Sequence, residues 1–117
     1  GDFVLELEWM IEPGGDSGIY LRGSPQVQIW DIQQHPEGSG GLYNNRQGAS
    51  LPLVAADLPP GQWNHFRIEM RGVQVTVDLN GQRVVDAVAL ENYWKRDVPI
   101  PGRGPIELQS HGRRLQF

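Results

Sequence analysis

Apolar and polar residues alternate along most of the chain, which is the pattern of β-strands with one face packed on a core. The clearest segment runs from Phe3 to Ile11, where apolar residues alternate with a set that includes Glu6 and Glu8. Residues 18–22 and 26–31 repeat the alternation, and both are predicted to be strands with a polar, aromatic outer face. Helical periodicity is almost absent.

The middle of the chain predicts two long strands and a tight hairpin. Residues 63–70 and 73–79 alternate with period two and should pair across a turn at Gly72. Asn80-Gly81 is a preferred two-residue hairpin turn, because both positions need positive φ, and residues 82–86 form the return strand. The side chains expected between the two sheets are Phe66, Ile68, Val75 and Val77. The indoles of Trp9 and Trp63 are also assigned to the core.

Turn-forming residues separate the predicted strands and define the fold class. Residues 33–60 are rich in Gly, Pro, Ser and Asn, which predicts a long loop with one short strand near Leu42, and loops of that length usually serve a ligand. Two short closing strands are predicted near residues 106–109 and 114–117. The sequence therefore predicts one all-β domain over residues 1–117: an antiparallel two-sheet β-sandwich, with under roughly a tenth of its residues in helix.

Composition and charge exclude several classes of function. The chain has 117 residues, a net charge of -4 and no cysteine, so disulfides, thiolate metal sites and a cysteine nucleophile are excluded. Nucleic acid is not an expected partner, because phosphate contacts need clustered basic residues. No apolar run approaches the ~20 residues that cross a bilayer, so membrane insertion is not expected. Because the chain begins with Gly1, a processed or cut N-terminus is expected.

Seven motifs in order resemble a known family. They are GDFVLELEW, SGIYLRG, PQVQIWD, GGLYN, PGQWNHFRIEMRG, LNG and GPIELQSHG. Together they are similar to the 3-keto-disaccharide hydrolase domain. The resemblance implies a concanavalin-A-like jelly roll with a concave sugar-facing sheet, an extracellular or periplasmic location, and cleavage of a glycosidic linkage in a 3-keto-disaccharide or 3-keto-glucoside by a hydrolase or lyase. It also implies that the usual N-terminal strands of the family are missing here.

The strongest candidate site lies on the predicted strands at 18–22 and 26–31. Strand parity places four side chains on one face, with an acidic residue at the strand end: Tyr20, Arg22, Gln28, Trp30 and Asp31. Amides, a guanidinium, a carboxylate and aromatic rings are the groups that bind a sugar. The family motifs match at Arg22, Gln28 and Asp31. The resemblance therefore predicts that Arg22 and Asp31 are catalytic and that Gln28 binds substrate. The alternative is a structural ion pair between Arg22 and Asp31.

Other candidates lie in loops. His111 in the LQSHG motif is a predicted catalytic acid or base, with Gln109 as a substrate-binding neighbour; the alternative is a loop histidine bonded to backbone. Tyr43 and Trp94 are predicted to stack on a sugar, although Trp94 could instead anchor its own loop. The two carboxylates at 6 and 8 are predicted mainly to form a solvated strand face, with acid/base work at a sugar as the alternative.

No cofactor is predicted. The three histidines show no metal-ligand spacing, so no metal site is assigned. A hard cation such as calcium could use Asp16, Asp31 and the carbonyls of Gly-rich turns, but no EF-hand-type spacing supports this.

Three functions compete at this point. The first is an enzyme that cleaves a 3-keto-glycoside, and the second is a non-catalytic carbohydrate-binding module. The third is a structural or assembly domain. In that case the edge beside residues 1–11 is filled by self-association or by strand addition from a partner chain.

Overall fold

The structure of the protein is a computed structural model. It describes residues 2–21, 26–42, 45, 50–89, 91, 106–108 and 115–117. Every regular element in these ranges is a strand. The strands are β1 (Phe3–Ile11), β2 (Asp16–Tyr20), β3 (Gln26–Trp30), β4 (Asn64–Arg71), β5 (Gln74–Leu79), β6 (Gln82–Ala89), β7 (Glu107–Leu108) and β8 (Leu115–Gln116). None of the described elements is a helix that could span a membrane.

The strands form two antiparallel sheets. A five-stranded sheet has the order β6-β5-β4-β1-β8, and a three-stranded sheet has the order β3-β2-β7. The chain passes from the first sheet to the second at the turn after β1, where Gly14 has a φ of 77° that favours glycine. The predicted two-sheet antiparallel sandwich is confirmed.

The core lies between the sheets and is built from the inward-facing apolar residues of both. All four predicted core side chains, Phe66, Ile68, Val75 and Val77, are fully buried. Phe66 pairs with Leu7 of β1 on one side and Leu79 of β5 on the other, and its ring lies 5.4 Å from that of Trp9. The period-two pattern of the sequence therefore identified the buried face correctly.

Trp63 is a correction to the predicted core. Its side chain is 46% exposed. The strand begins one residue later, and Asn64 takes the buried position opposite Trp9. The Asn64 side chain is satisfied there, because its Oδ1 accepts hydrogen bonds from Leu58 N and from Asn80 Nδ2. The inward position at this end of β4 is thus filled by a hydrogen-bonded amide, and Trp63, of opposite parity, faces outward.

The predicted hairpin is confirmed, and its return strand is longer than predicted. Asn80 and Gly81 have φ values of 51° and 81°. β6 extends to Ala89 rather than ending at Asp86, and its pairing with β5 is irregular around Val77. Ala87 adopts a φ of 49°, and its N–H donates to Thr76 Oγ1 rather than to a ladder carbonyl.

Candidate functional site

The outer face of the three-stranded sheet carries most of the predicted site residues that the structure describes. Residues opposite each other in the β2–β3 pair share a face, and the register gives three such pairs. We call this set the polar face: Asp16 with Trp30, Gly18 with Gln28, and Tyr20 with Gln26. The predicted placement of Tyr20, Gln28 and Trp30 on one face therefore agrees with the register.

Two glutamines form a hydrogen-bonded ladder across the polar face. Gln26 Nε2 donates to Gln28 Oε1 at 2.9 Å, and Gln28 Nε2 donates to Asp16 Oδ1 at 2.6 Å and to Ser17 O at 2.9 Å. Gln26 and Gln28 are only 6% and 2% exposed, although they point away from the apolar core. Desolvated amides held by several partners are rigid, so the ladder fixes the position of the Asp16 carboxylate.

Gly18 gives the ladder its space. A Cβ atom at this position would lie 2.6 Å from Gln26 Oε1 and 2.9 Å from Val27 O. Gln26 Oε1 is itself buried and has no hydrogen-bond partner among the described residues. Sequence reasoning did not assign Gln26 to the site. The available signal was its parity, which matches that of Gln28.

Trp30 is held at the end of the polar face by a loop that follows β3. Its Nε1 donates to Gly38 O at 2.6 Å, and its ring stacks on that of His35 at a centroid distance of 4.0 Å and an angle of 10°. The partly buried Trp30 is therefore fixed in orientation, with His35 against one side of its ring.

A partly buried hydroxyl–carboxylate pair supports the same loop. Ser39 Oγ donates to Asp57 Oδ2 at 2.6 Å, Ser39 N donates to Asp57 Oδ1 at 2.7 Å, and Trp30 N donates to Ser39 Oγ. Burial raises the pKa of the Asp57 carboxyl above its ordinary value, against the opposing effect of the two Ser39 hydrogen bonds. The Asp57 carboxylate thus holds Ser39, and the Ser39 hydroxyl in turn accepts a hydrogen bond from Trp30 N.

Asp31 occupies the predicted position at the end of β3, but its contacts are with backbone amides. Oδ2 accepts from Gly14 N at 2.7 Å and Oδ1 accepts from Gln33 N at 2.8 Å, while the residue is 2% exposed. Its own N–H donates to Gly15 O. These bonds tie the β1–β2 turn to the end of β3, which is the work of a structural anchor.

Asp16 is the carboxylate on the polar face itself, and sequence reasoning considered it only as a cation ligand. It begins β2, is partly buried, and lies opposite Trp30. Oδ1 accepts the Gln28 amide, whereas no hydrogen bond or ion pair to Oδ2 is found within the described residues. Among the described residues, Asp16 Oδ2 thus has no polar partner, whereas each oxygen of Asp31 accepts a backbone amide.

Several predicted site residues lie outside the described residues, and their placement stays a prediction. They are Arg22, Tyr43, Trp94, Gln109 and His111. The sequence also predicts that Asp31 and His111 share one concave surface. That expectation and the alternative ion pair between Arg22 and Asp31 both involve these residues, so they too stay predictions. Among the described residues, no group of three His, Asp or Glu side chains could hold a metal ion.

Glu6 and Glu8 lie on the outer face of the other sheet. Glu6 is 58% exposed and its Oε1 lies 3.3 Å from Nε2 of His65 on the neighbouring strand. A cavity of about 180 Å³ between the start of β1 and the end of β4 is also on that sheet and contains no predicted site residue. The two carboxylates thus form the solvated strand face that the sequence favoured.

Comparison with known proteins relates this architecture to a family. The sequence profile of the 3-keto-alpha-glucoside-1,2-lyase-like domain matches residues 1–117. The chain therefore belongs to this family. This confirms the resemblance predicted from the seven motifs. A relative from Bacteroides thetaiotaomicron named 3-keto-disaccharide hydrolase is 29% identical over 118 residues. That match covers 80% of this chain and 41% of the relative.

Solved structures show the same fold. A protein of Parabacteroides distasonis, provisionally named a glycosyl hydrolase, superimposes with a TM-score of 0.74 at 28% identity, covering 98% of this chain and 59% of its own length. A second such protein from that organism gives a TM-score of 0.72 at 19% identity and covers 97% of this chain and 67% of its own length, which supports the fold alone. The chain thus spans between two fifths and two thirds of the length of these relatives.

Proposed function

We propose that this chain is a carbohydrate-active domain that cleaves the glycosidic linkage of a 3-keto-glucoside or 3-keto-disaccharide at the polar face. The observation that carries the proposal is the Asp16 carboxylate, held by Gln28 with one oxygen unpaired within the described residues and placed opposite Trp30. Membership of the 3-keto-alpha-glucoside-1,2-lyase-like family supports the choice of substrate class.

The polar face has the chemistry that a sugar ring requires. Trp30 and Tyr20 are partly buried aromatic side chains at its two ends, and the glutamine ladder forms a polar floor between them. An aromatic ring stacks on the apolar side of a sugar, while amides and carboxylates bind hydroxyl groups. Because the ladder is already hydrogen-bonded, a ligand would meet groups whose positions are fixed before binding.

The proposed role of Asp16 is that of a general base. A carbonyl at C3 of the sugar acidifies the proton on C2, and the free carboxylate oxygen would accept that proton. The electrons of the C2–H bond form a C1=C2 double bond as the C1–O bond breaks. The leaving oxygen then takes a proton and departs as an alcohol. His111 is the predicted proton donor and lies outside the described residues.

The test is release of product from a 4-nitrophenyl 3-keto-α-glucoside, followed by absorbance. Asp16→Asn keeps an oxygen for Gln28 Nε2 and removes the base, so kcat should fall about 10²- to 10⁴-fold while the ligand still binds. Glu8→Gln makes the same chemical change on the other sheet and should leave kcat unaltered. Wild-type turnover by Asp16→Asn would reject the proposed base.

A non-catalytic carbohydrate-binding module is the second candidate. It is favoured by the contacts of Asp31, the predicted catalytic carboxylate, because both of its oxygens are committed to backbone amides. A module would bind the keto-sugar and release no nitrophenol, and its affinity would be lowered by loss of Trp30. The same assay therefore distinguishes the two candidates.

A further inference from the structure

One peptide group connects the Trp30 ring to Asp57. The carbonyl oxygen of Gly38 accepts a hydrogen bond from Trp30 Nε1 at 2.6 Å. The N–H of Ser39 belongs to the same peptide group and donates to Asp57 Oδ1 at 2.7 Å. Because a trans peptide group is planar and its C=O and N–H point in opposite directions, the indole and the carboxylate hold this group from its two sides. A displacement of Asp57 Oδ1 would therefore turn the peptide group and move the acceptor of the indole.

The Ser39 hydroxyl makes a second connection between the same two residues. Its Oγ donates to Asp57 Oδ2 at 2.6 Å and accepts from Trp30 N at 3.1 Å. The hydroxyl has one proton, and its other acceptor, Trp30 O, lies farther away at 3.3 Å, so the carboxylate holds the hydroxyl in its orientation. Ser39 is fully buried, and hydrogen bonds there are shielded from water. Asp57 thus holds both the ring and the main chain of Trp30.

The segment that carries this peptide group depends on support from outside. Gly38 and Gly40, on either side of Ser39, have φ values of 88° and 100°, and glycine has more backbone freedom than any other residue. A Cβ atom at Gly38 would lie 2.9 Å from the Cα of Ala55 and 3.0 Å from Asp57 Oδ1. The two segments are therefore in direct contact, and Asp57 lies in the segment that supports the peptide group.

Stacking on His35 does not replace this support. The His35 ring covers one side of the Trp30 ring at a centroid distance of 4.0 Å, and the two rings are nearly parallel. Stacked rings can still turn about the axis that joins their centres, whereas a directional hydrogen bond at Nε1 opposes that rotation. The in-plane orientation of the indole therefore depends on the Gly38 carbonyl, and through it on Asp57.

We propose that Asp57 is a positioning residue of the polar face, which holds the Trp30 ring through Gly38 and Ser39 in the orientation that binds the sugar. The inference rests on the proposed function, because it takes the Trp30 ring as a stacking surface for the keto-sugar. Asp57 acts through Trp30 and does not touch the sugar. Its effect is on affinity, since a ring that stacks on the substrate binds the ground state and the transition state alike.

Two substitutions of Asp57 test the inference. Asp57→Asn keeps an oxygen acceptor for Ser39 N, whereas Asp57→Leu has a similar branched shape and no acceptor. With 4-nitrophenyl 3-keto-α-glucoside, Asp57→Leu should raise KM about 3- to 10-fold and leave kcat within about 2-fold of wild type. Asp57→Asn should restore a KM close to that of wild type. In NMR spectra recorded without ligand, Asp57→Leu should also shift the Trp30 indole N–H signal, because the Gly38 carbonyl moves.

Two further variants separate positioning from loss of stability. Val77→Ala removes two methyl groups from the fully buried core of the other sheet, so it should lower stability and leave both KM and the Trp30 indole signal unchanged. Ser39→Ala removes the hydroxyl connection alone. If Asp57→Leu does not fold, Ser39→Ala should shift the Trp30 main-chain N–H signal and raise KM by a smaller factor.

The inference requires both changes in Asp57→Leu, so an unchanged KM or an unchanged Trp30 indole signal would overturn it and leave the proposed function in place. Equal KM values for Asp57→Leu and Asp57→Asn would also overturn it, because the acceptor for Ser39 N would then not matter. If wild type itself neither binds nor cleaves the glucoside, the proposed function is rejected, and with it the role of Trp30 in binding the sugar. The indole signal then still decides whether Asp57 positions the ring.

Discussion

Polar side chains line both the polar face of the three-stranded sheet and the outer face of the five-stranded sheet. The two faces differ in how the hydrogen bonds of these side chains are satisfied. On the five-stranded sheet, exposed polar side chains pair at the surface: Arg83 forms a salt bridge with Asp78 at 2.9 Å, and His65 Nε2 lies 3.3 Å from Glu6 Oε1. On the polar face, the neutral amides of Gln26 and Gln28 are buried and bonded to each other.

The difference supports the proposal that the polar face binds the ligand. Exposed ion pairs contribute little to stability and exchange readily with water, so they only solvate a surface. Buried amides cost free energy to desolvate and are retained where fixed polar geometry is useful. On this criterion the polar face is preorganised and the outer face of the five-stranded sheet is not. The predictions below compare changes on the two sides.

The largest expected effect is at Asp31. Asp31→Ala removes the acceptors of Gly14 N and Gln33 N in a buried place, so the free energy of unfolding should fall by about 2–4 kcal/mol. Glu8→Ala, on the exposed face, should change it by less than about 0.5 kcal/mol. Urea unfolding of both variants measures the contrast. A near-neutral Asp31→Ala would show that Asp31 is not the anchor described.

Gly18→Ala tests the ladder itself. The added methyl would collide with Gln26 Oε1 and Val27 O, so the free energy of unfolding should fall by about 1–3 kcal/mol. In a Gln26→Ala background one of the two obstacles is gone, and the cost should decrease. A double-mutant cycle measures this coupling. An unchanged cost would mean that the ladder does not determine the need for glycine here.

Asp57, which lies next to the Trp30 end of the polar face, should make the stability of the fold depend on pH. Because burial raises its pKa in the folded state, the folded protein binds the proton more tightly than the unfolded chain. Stability should therefore fall as the pH rises from about 4 through the folded pKa. Asp57→Asn, which keeps an acceptor for Ser39 N, should lack this part of the profile. Identical pH profiles of unfolding for wild type and variant would contradict the burial argument.

Glu69 should show the smallest effect, with the opposite sign. The hydrogen bond from Arg71 Nε, 2.5 Å long, lowers the pKa of this partly exposed carboxyl in the folded protein. Its contribution to stability is therefore present at neutral pH and is lost as the pH falls through the folded pKa. Glu69→Gln should flatten the acid limb slightly, and the difference should shrink in high salt. A salt-independent difference would argue against an ion pair.

Much of the fold follows from periodicity, and the site only partly does. Alternation located β1 and the buried faces of β4 and β5 because inward positions repeat every two residues. Trp63 was assigned to the core as a large aromatic residue, although its parity matches the outward His65 and not the inward Phe66. The bonds of Asp31 to Gly14 and Gln33 depend on how two turns meet in space, which no local pattern records.

Asp16 and Gln26 also could not be identified as candidate site residues from local sequence patterns. Both lie on the polar face by parity, but acidic and amide residues on strands are usually solvated, so parity alone does not mark them as site residues. Their role became visible through the ladder, in which Gln28 contacts both side chains. Such a ladder requires the β2–β3 register, which places Gly18 opposite Gln28.

The most direct test of the account is NMR titration with a non-cleavable 3-keto-glucoside analogue, following side-chain resonances on both faces. The account predicts that the Nε2 amide signals of Gln26 and Gln28 and the Trp30 indole signal shift with one common affinity. The His65 ring on the outer face of the five-stranded sheet should stay unchanged. Shifts confined to His65 and its neighbours, or saturation without any change at the two glutamines, would contradict it.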